Sequence, residues 1–398
     1  MSKICLYFQI HQPWRLRSLS PFELGTEAGY FESDADDDEG NEKVMGKVAE
    51  KSYRPMLLLL RRLSQEEPDF HYSLSITGVA IEQMSRFAPD LILLLQDLCQ
   101  KGNVEFLAET YYHSLASLFS TTEFLIQVQK HSNQIEDLFS QRPKVFRNTE
   151  LIYTNRVAEI VEKMNFTGML VEGADKVLRG RKPTFVYRSP SGLPLLLKHY
   201  ALSDDIAFRF SQSARSPEPL VSETFCHWIN SSYSENETVN LFMDFETFGE
   251  HQWKDTGIFD FFYHFVKHFL RSGGKFITVS KELELQKPVD IYDSELPVSW
   301  ADVDRDITAW SGNPLQVDSL KKIYEMEKAV FDSGNENLVE DWRKLQTSDH
   351  FYYMCTKWSN DGDVHSYFSP YKNPYRAYVN FCHALADLNI RFNNYKNG

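Results

Sequence analysis

The first two-thirds of the chain alternate short apolar runs with longer stretches of helical period. Residues 4–10, 70–76, 104–108, 145–147, 168–171, 195–199, 239–243 and 275–279 read as strands. Several are near-continuous apolar runs, the pattern of strands buried on both faces of a parallel sheet. Between them Val44, Val48, Met56, Leu57, Leu60 and Leu63 form a helical stripe, in which Pro55 predicts a kink because it lacks an N–H and crowds the turn before it. Residues 91–99 and 123–139 repeat the helical period. Strand and helix in alternation predict an α/β barrel or a doubly wound sheet.

The strand ends choose between these. His11-Gln12-Pro13 follows the first strand, Glu105 and Glu109 lie on and after the third, and Glu150 follows the fourth. Glu172 follows the fifth, Asp204 and Asp205 come after the sixth, and Asp244 closes the seventh. A doubly wound sheet gathers such groups at one switch point. Ionisable residues at many successive strand ends are the pattern of a barrel's active face. The expectation is a catalytic β/α barrel over residues 1–288. Beyond it, residues 315–331, 338–346 and 375–390 carry helical periodicity and no strand-like run follows Val289. Residues 289–398 are therefore expected to be a helical domain packed on the barrel.

Composition narrows the function. Of 398 residues, 42 are Lys or Arg and 56 Asp or Glu, a net charge of −14 that repels phosphate backbones and argues against nucleic acid as a partner. Aromatic content reaches 14%, and flat rings beside polar edges suit sugar faces. Five scattered cysteines without a CxxC pair predict neither a disulfide framework nor a zinc ribbon. The start of the chain lacks a leader pattern, and no apolar run reaches the ~20 residues of a membrane span. The expected location is cytoplasmic. The acidic block at 33–39 reads as a solvated loop; it lacks the Gly and closing Glu of an EF-hand calcium loop.

Three segments carry candidate chemistry. Phe8-Gln9-Ile10-His11-Gln12-Pro13-Trp14 sets hydrogen-bonding groups beside a ring. Val145-Phe146-Arg147-Asn148-Thr149-Glu150-Leu151 places a carboxylate just past a short strand, where a helix-start Glu is the structural alternative. In Asp244-Phe245-Glu246-Thr247-Phe248-Gly249-Glu250-His251-Gln252-Trp253, ionisable groups interleave with rings from the point where an apolar strand stops. If the extended geometry continues, Asp244 and Glu246 share a face, and each raises the other's proton affinity.

In this order and spacing the segments resemble glycoside hydrolase family 57. His11-Gln12-Pro13, Gly102-Asn103-Val104-Glu105, Phe146-Arg147-Asn148-Thr149-Glu150, Asp244 to Gly249 and Thr278-Val279-Ser280-Lys281-Glu282-Leu283 are similar to its five signatures. Gln346-Thr347-Ser348-Asp349 resembles its helical-region motif, while Glu109-Thr110-Tyr111-Tyr112-His113 and Trp310-Ser311-Gly312-Asn313 look like its α-amylase branch. The resemblance implies an irregular TIM-like (β/α)7 barrel with a helical C-terminal domain, acting on α-1,4-glucan by a retaining mechanism. Glu150 would be the nucleophile and Asp244 the general acid/base, their carboxyls about 5–5.5 Å apart. Substrate contacts are expected from His11, Gln12, Glu105, His113, Asn148, Asp205, Glu246, His251 and Asp349, with Trp14, Trp253 and Trp310 as stacking faces. No metal or other cofactor is expected. The competing expectations are a 4-α-glucanotransferase on the same scaffold, a glucan-binding protein without activity, and a metal-dependent deacetylase. The last needs an Asp with two His, for which His264-Phe265-Val266-Lys267-His268 is the short-spaced candidate.

Overall fold

The computed structural model describes residues 2–26, 29–32, 40–211, 220–357, 369–371 and 373–397, so the acidic block at 33–39 lies outside the described residues. Its strands are β1 (Lys3–Ile10), β2 (Tyr72–Ile76), β3 (Val104–Phe106), β4 (Val145–Arg147), β5 (Gly168–Glu172), β6 (Tyr187–Arg188), β7 (Pro194–Lys198), β8 (Thr238–Asp244) and β9 (Lys275–Ile277).

β1 is the hub: Tyr7 to Ile10 pair with Ser73 to Ile76 of β2, and Lys3 to Gln9 pair with Thr238 to Asp244 of β8, both parallel. β2 continues to β3, and β4 to β5 to β7, again all parallel. A parallel bridge between Ala108 and Phe146 joins the two sheets, and the His199 N–H bonds the Asn240 carbonyl at 2.9 Å, bringing β7 against β8. Strands β8, β1, β2, β3, β4, β5 and β7 thus curl into an irregular seven-stranded barrel, as expected. β9 lies beside the N-terminal half of β1, and β6 is an antiparallel addition to β7.

Side-chain alternation sorts the strands into an inside and an outside. Cys5, Tyr7, Leu107, Val145, Leu170, Leu196 and Phe242 share one buried interior cluster. Ile4, Leu6, Phe8 and Ile10 of β1 point the other way, into a separate core built with the surrounding helices. The two-residue period carries the inward face up to Gln9, Glu109, Arg147, Glu172, Lys198 and Asp244, so an apolar plug is capped by a polar top layer.

Pro55 perturbs its helix differently from the expected kink. The helix Asn41–Val48 widens into a π-turn over Ala49–Tyr53 before Arg54–Glu66 resumes. Pro55 has no N–H for the Lys51 carbonyl, which instead lies against Gly249, where an added Cβ would stand 1.9 Å from the Lys51 oxygen. Gly249 also has a φ of +107°, so both the close approach and the backbone demand glycine in the turn after β8.

After β9 no further strand occurs among the described residues. Helices Pro314–Glu325, Glu336–Lys344 and Pro374–Asn397 gather around Trp310, Trp342 and Phe381 in a second core, which also takes Leu16, Leu115 and Ile152 from the first region. The connecting chain crosses the barrel: the Tyr292 N–H bonds the Arg188 carbonyl, Val298 and Tyr153 exchange backbone bonds, and the Trp300 N–H reaches the Glu150 carbonyl. No described helix is long and apolar enough to cross a membrane.

Candidate active site

The chain leaves β4 through a strained turn. Glu150 and Leu151 both adopt left-handed backbone, at φ values of 56° and 50°, a conformation that costs of order 1–3 kcal/mol for a non-glycine residue. A single 3-10 turn spans Thr149–Leu151, with Glu150 off helical backbone, and the α-helix starts only at Asn155, capped by Thr154, so Glu150 is no α-helix-start carboxylate. The turn is held from behind by Asn148, whose amide donates to the Ile152 carbonyl at 2.8 Å and to Ser117 Oγ at 3.0 Å. The Glu150 carboxylate is thereby turned into the cleft, its side chain 22% exposed.

Both Glu150 oxygens are taken. His113 Nε2 lies 2.9 Å from Oε1, and the Trp300 indole N–H donates to Oε2 at 2.7 Å. Burial works against the Glu150 charge. The hydrogen bond and charge of His113, then Arg147 and the indole, outweigh it and hold this carboxyl below the usual range. His113 answers in kind: burial opposes its charge, but bonds to Glu109 and Glu150 push its pKa up to about 9. Its ring stacks on His11 with centroids 4.0 Å apart, and His11 Nε2 lies 2.9 Å from Asp349 Oδ2. The Ser348 N–H on the His113 carbonyl and Thr347 Oγ1 on the Tyr112 carbonyl splice the helical region onto this loop and so place Asp349.

Asp244 faces this assembly from the end of β8. Burial first and the Glu150 charge second push its carboxyl up to about 6. The chain then turns into a 3-10 helix, Phe245–Thr247, so the extended face expected to carry Asp244 and Glu246 together does not continue. Glu246 instead points to Tyr53, whose hydroxyl donates to its Oε1, with the His11 N–H at 3.4 Å. Burial, then Asp244, push Glu246 up to about 8. Glu246 is thus pushed up further than Asp244, and the carboxylate charge that raises Asp244 is that of Glu150.

The remaining expected contacts divide. Gln12 is buried in the wall and accepts from Arg15 at 3.1 Å. Glu105 lies at the foot of the barrel, accepting from Ser73 Oγ and the Ser280 N–H, each at 3.1 Å, away from the cleft. Asp205 pairs with Arg209 one helical turn on, while Asp204 bonds Lys198 at 3.2 Å. Trp14 is buried with its indole on Glu82, and Trp310 is 1% exposed inside the helical core; neither offers a free face. Trp253 is 61% exposed, beside His251, which stacks near Phe208. Trp300, Tyr53 and Lys198 were not singled out by the sequence. Lys198 was within reach of alternation, two positions past an inward leucine. Trp300 gave no signal, because its partner is 150 positions away.

His264 and His268 sit on the outer helix Ile258–Arg271, where His268 Nδ1 lies 3.0 Å from Ser222 Oγ, so the deacetylase candidate falls away from the cleft. Two histidines and an aspartate do converge, at His11, His113 and Asp349. Their nitrogens already have protein partners: His11 has Thr77 and Asp349, and His113 has Glu109, 3.5 Å from its Nδ1, and Glu150. A His113 charged by two carboxylates is a poor metal ligand, since ligation needs neutral imidazole. The donor set fits an ion-pair network and not a metal centre.

Comparison with known proteins gives the family. The chain is 38% identical over 397 residues to the "Putative alpha-amylase" of Methanocaldococcus jannaschii, covering 97% of this chain and 84% of that one. In fold it is similar to the 4-alpha-glucanotransferase of Thermococcus litoralis, with a TM-score of 0.69 at 15% identity over 96% of this chain and 59% of that longer one. It is also similar to the alpha-amylase AmyC of Thermotoga maritima, with a TM-score of 0.59 at 12% identity over 98% of each. The profile of Glycosyl hydrolase family 57 matches residues 5–297, and the chain belongs to that family of glycosidic-bond enzymes.

Proposed function

We propose that this enzyme cleaves α-1,4-glucosidic bonds of starch, glycogen or maltodextrin by double displacement, as an α-amylase. One observation carries the reading: two carboxyls face one cleft in contrasting surroundings, Glu150 between the His113 and Trp300 donors that hold it low, and Asp244 buried at the end of β8, where burial and the Glu150 charge push it up to about 6. Glu150 attacks the anomeric carbon and Asp244 protonates the leaving oxygen. Asp244 then takes a proton from the water that releases the glycosyl-enzyme. His113 and Trp300 keep the nucleophile charged and aimed. His11 and Asp349 supply groups for sugar hydroxyls, and Trp253 offers an outer stacking face. Residues 289–398 act as part of the catalytic body, contributing Trp300 and Asp349.

The test is mass spectrometry after incubation with a 5-fluoro-α-glucosyl fluoride. An adduct on the peptide bearing Glu150 is expected, and an adduct elsewhere removes the assignment. NMR of early product should show the α-anomer first. Release of reducing ends from maltotriose without longer chains marks hydrolysis, whereas chain lengthening marks transfer.

A further inference from the structure

The top inward layer of the barrel carries two cations to which the steps of bond cleavage give no role. Read around the barrel from β3 to β8, it runs Glu109, Arg147, Glu172, Lys198, Asp244: acid, base, acid, base, acid. Arg147 is fully buried, yet none of its three side-chain nitrogens has a hydrogen-bond partner among the described residues, and the Glu109 carboxylate is 3.9 Å away. Lys198 is also buried and pairs with Asp204 at 3.2 Å. Both cations lie against the same ring, the Arg147 guanidinium 4.9 Å and the Lys198 ammonium 5.1 Å from the centroid of Trp300. Trp300 in turn donates to Glu150.

A buried cation without close partners is costly to fold around. Its field, however, reaches neighbouring groups little screened. Arg147 sits three positions before Glu150, in the strand end that aims it. Lys198 ends β7, the strand brought against β8, whose last residue is Asp244. We propose that these two cations are positioning residues that divide control of the catalytic carboxyls: Arg147 favours the charged form of both Glu150 and Asp244, and Lys198 acts chiefly on Asp244. This rests on the roles assigned above to Glu150 and Asp244.

Other charges face these groups: Lys198 stands beside Asp204 and beside Glu172, which burial pushes up to about 7, and Arg305 reaches both of those carboxyls, at 3.8 and 3.0 Å. Glu150 meets His113, Trp300 and Asp244. Asp244 meets Glu150 and His113 across the cleft, Tyr7 from the layer below and Glu246 from its own turn. Against the upward push of burial and Glu150, Arg147 and Lys198 both pull Asp244 down; on Glu150, Arg147 adds to His113. Removing a cation destabilises a carboxylate and raises its pKa. Asp244 then keeps its proton to higher pH, and Glu150 needs higher pH to lose its own.

The experiment is kcat/KM against pH on a maltooligosaccharide for Lys198→Met and Arg147→Met. Lys198→Met should move the alkaline limb up by about one pH unit and leave the acid limb in place. Arg147→Met should move both limbs up. Lys198→Arg should restore the parent profile, which a packing role would not require. Inactivation by the glycosyl fluoride reads Glu150 alone, because fluoride leaves without needing a proton from Asp244. Its pH dependence should shift in Arg147→Met and not in Lys198→Met. An unmoved alkaline limb in Lys198→Met, or equal shifts of both limbs, overturns the proposal. If Lys198→Met does not fold, Lys198→Gln carries the same expectation, and failure of both to fold assigns Lys198 to stability and overturns its positioning role. Limbs that stay put while the adduct still forms on Glu150 sink only this proposal; absence of that adduct in the parent enzyme sinks the underlying mechanism.

Discussion

The ends of β4 and β8 present the same functional group and treat it in opposite ways. At β4 the chain adopts strained left-handed backbone to aim Glu150 between two donors, His113 and Trp300, one from each region of the chain. At β8 Asp244 enters a relaxed turn, and its proton affinity is shaped by burial and by charges at a distance. A nucleophile needs fixed aim and a fixed charge, which hydrogen bonds supply. An acid/base must gain and lose a proton in each cycle, and a field leaves it free to do so.

The sharpest way to break this comparison is to neutralise each carboxyl. Glu150→Gln and Asp244→Asn should each cut cleavage of maltooligosaccharides by orders of magnitude while circular dichroism stays that of the parent. They should part on the activated fluoride donor: Asp244→Asn should still be labelled on Glu150, and Glu150→Gln should not. Equal labelling of both variants would make the two positions equivalent.

A smaller effect tests the grip at β4. Trp300→Phe keeps an aromatic ring, smaller than the indole, and removes the N–H that donates to Glu150. A hydrogen bond to a charged group is worth about 1.5–3 kcal/mol, so kcat/KM should fall on the order of tenfold or more. Losing a donor to the ionised form raises the pKa of Glu150, so the acid limb should move to higher pH. If only KM rises, Trp300 contacts sugar and does not hold the nucleophile.

The same contrast shows how much could be read without a structure. The barrel strands were legible because each is an apolar run with a sharp polar end, and position at such an end marked Glu150 and Asp244 as barrel-mouth groups. Depth was not legible. Glu105 obeys the same alternation as Glu109, yet it closes the foot of the barrel, because period fixes the face of a strand and not the layer. Rings were the least legible. Trp310 and Trp300 both lie past the barrel sequence, but one packs a helical core and the other reaches the nucleophile. Long-range pairing decides that difference, and local pattern carries none of it.

Glu246 tests the β8 side with the smallest expected effect. It stands beside Asp244 with its pKa pushed up to about 8, so where Asp244 titrates, near 6, Glu246 is neutral. In Glu246→Gln the amide oxygen can accept from Tyr53 and the His11 N–H as Oε1 does, and the NH2 stands where the proton was. The alkaline limb should therefore stay in place, whereas a charged Glu246 would make it fall to lower pH in the variant. Stability gives the second reading. The unfolded chain ionises Glu246 near its ordinary 4.5, while the folded chain keeps the proton to about 8. The folded parent therefore binds the extra proton across that window and loses stability as pH rises through it. Glutamine has no proton to lose. The Tm of Glu246→Gln relative to the parent should climb between pH 4.5 and 8 and level off above; a flat difference would place the pair's proton on Asp244 instead.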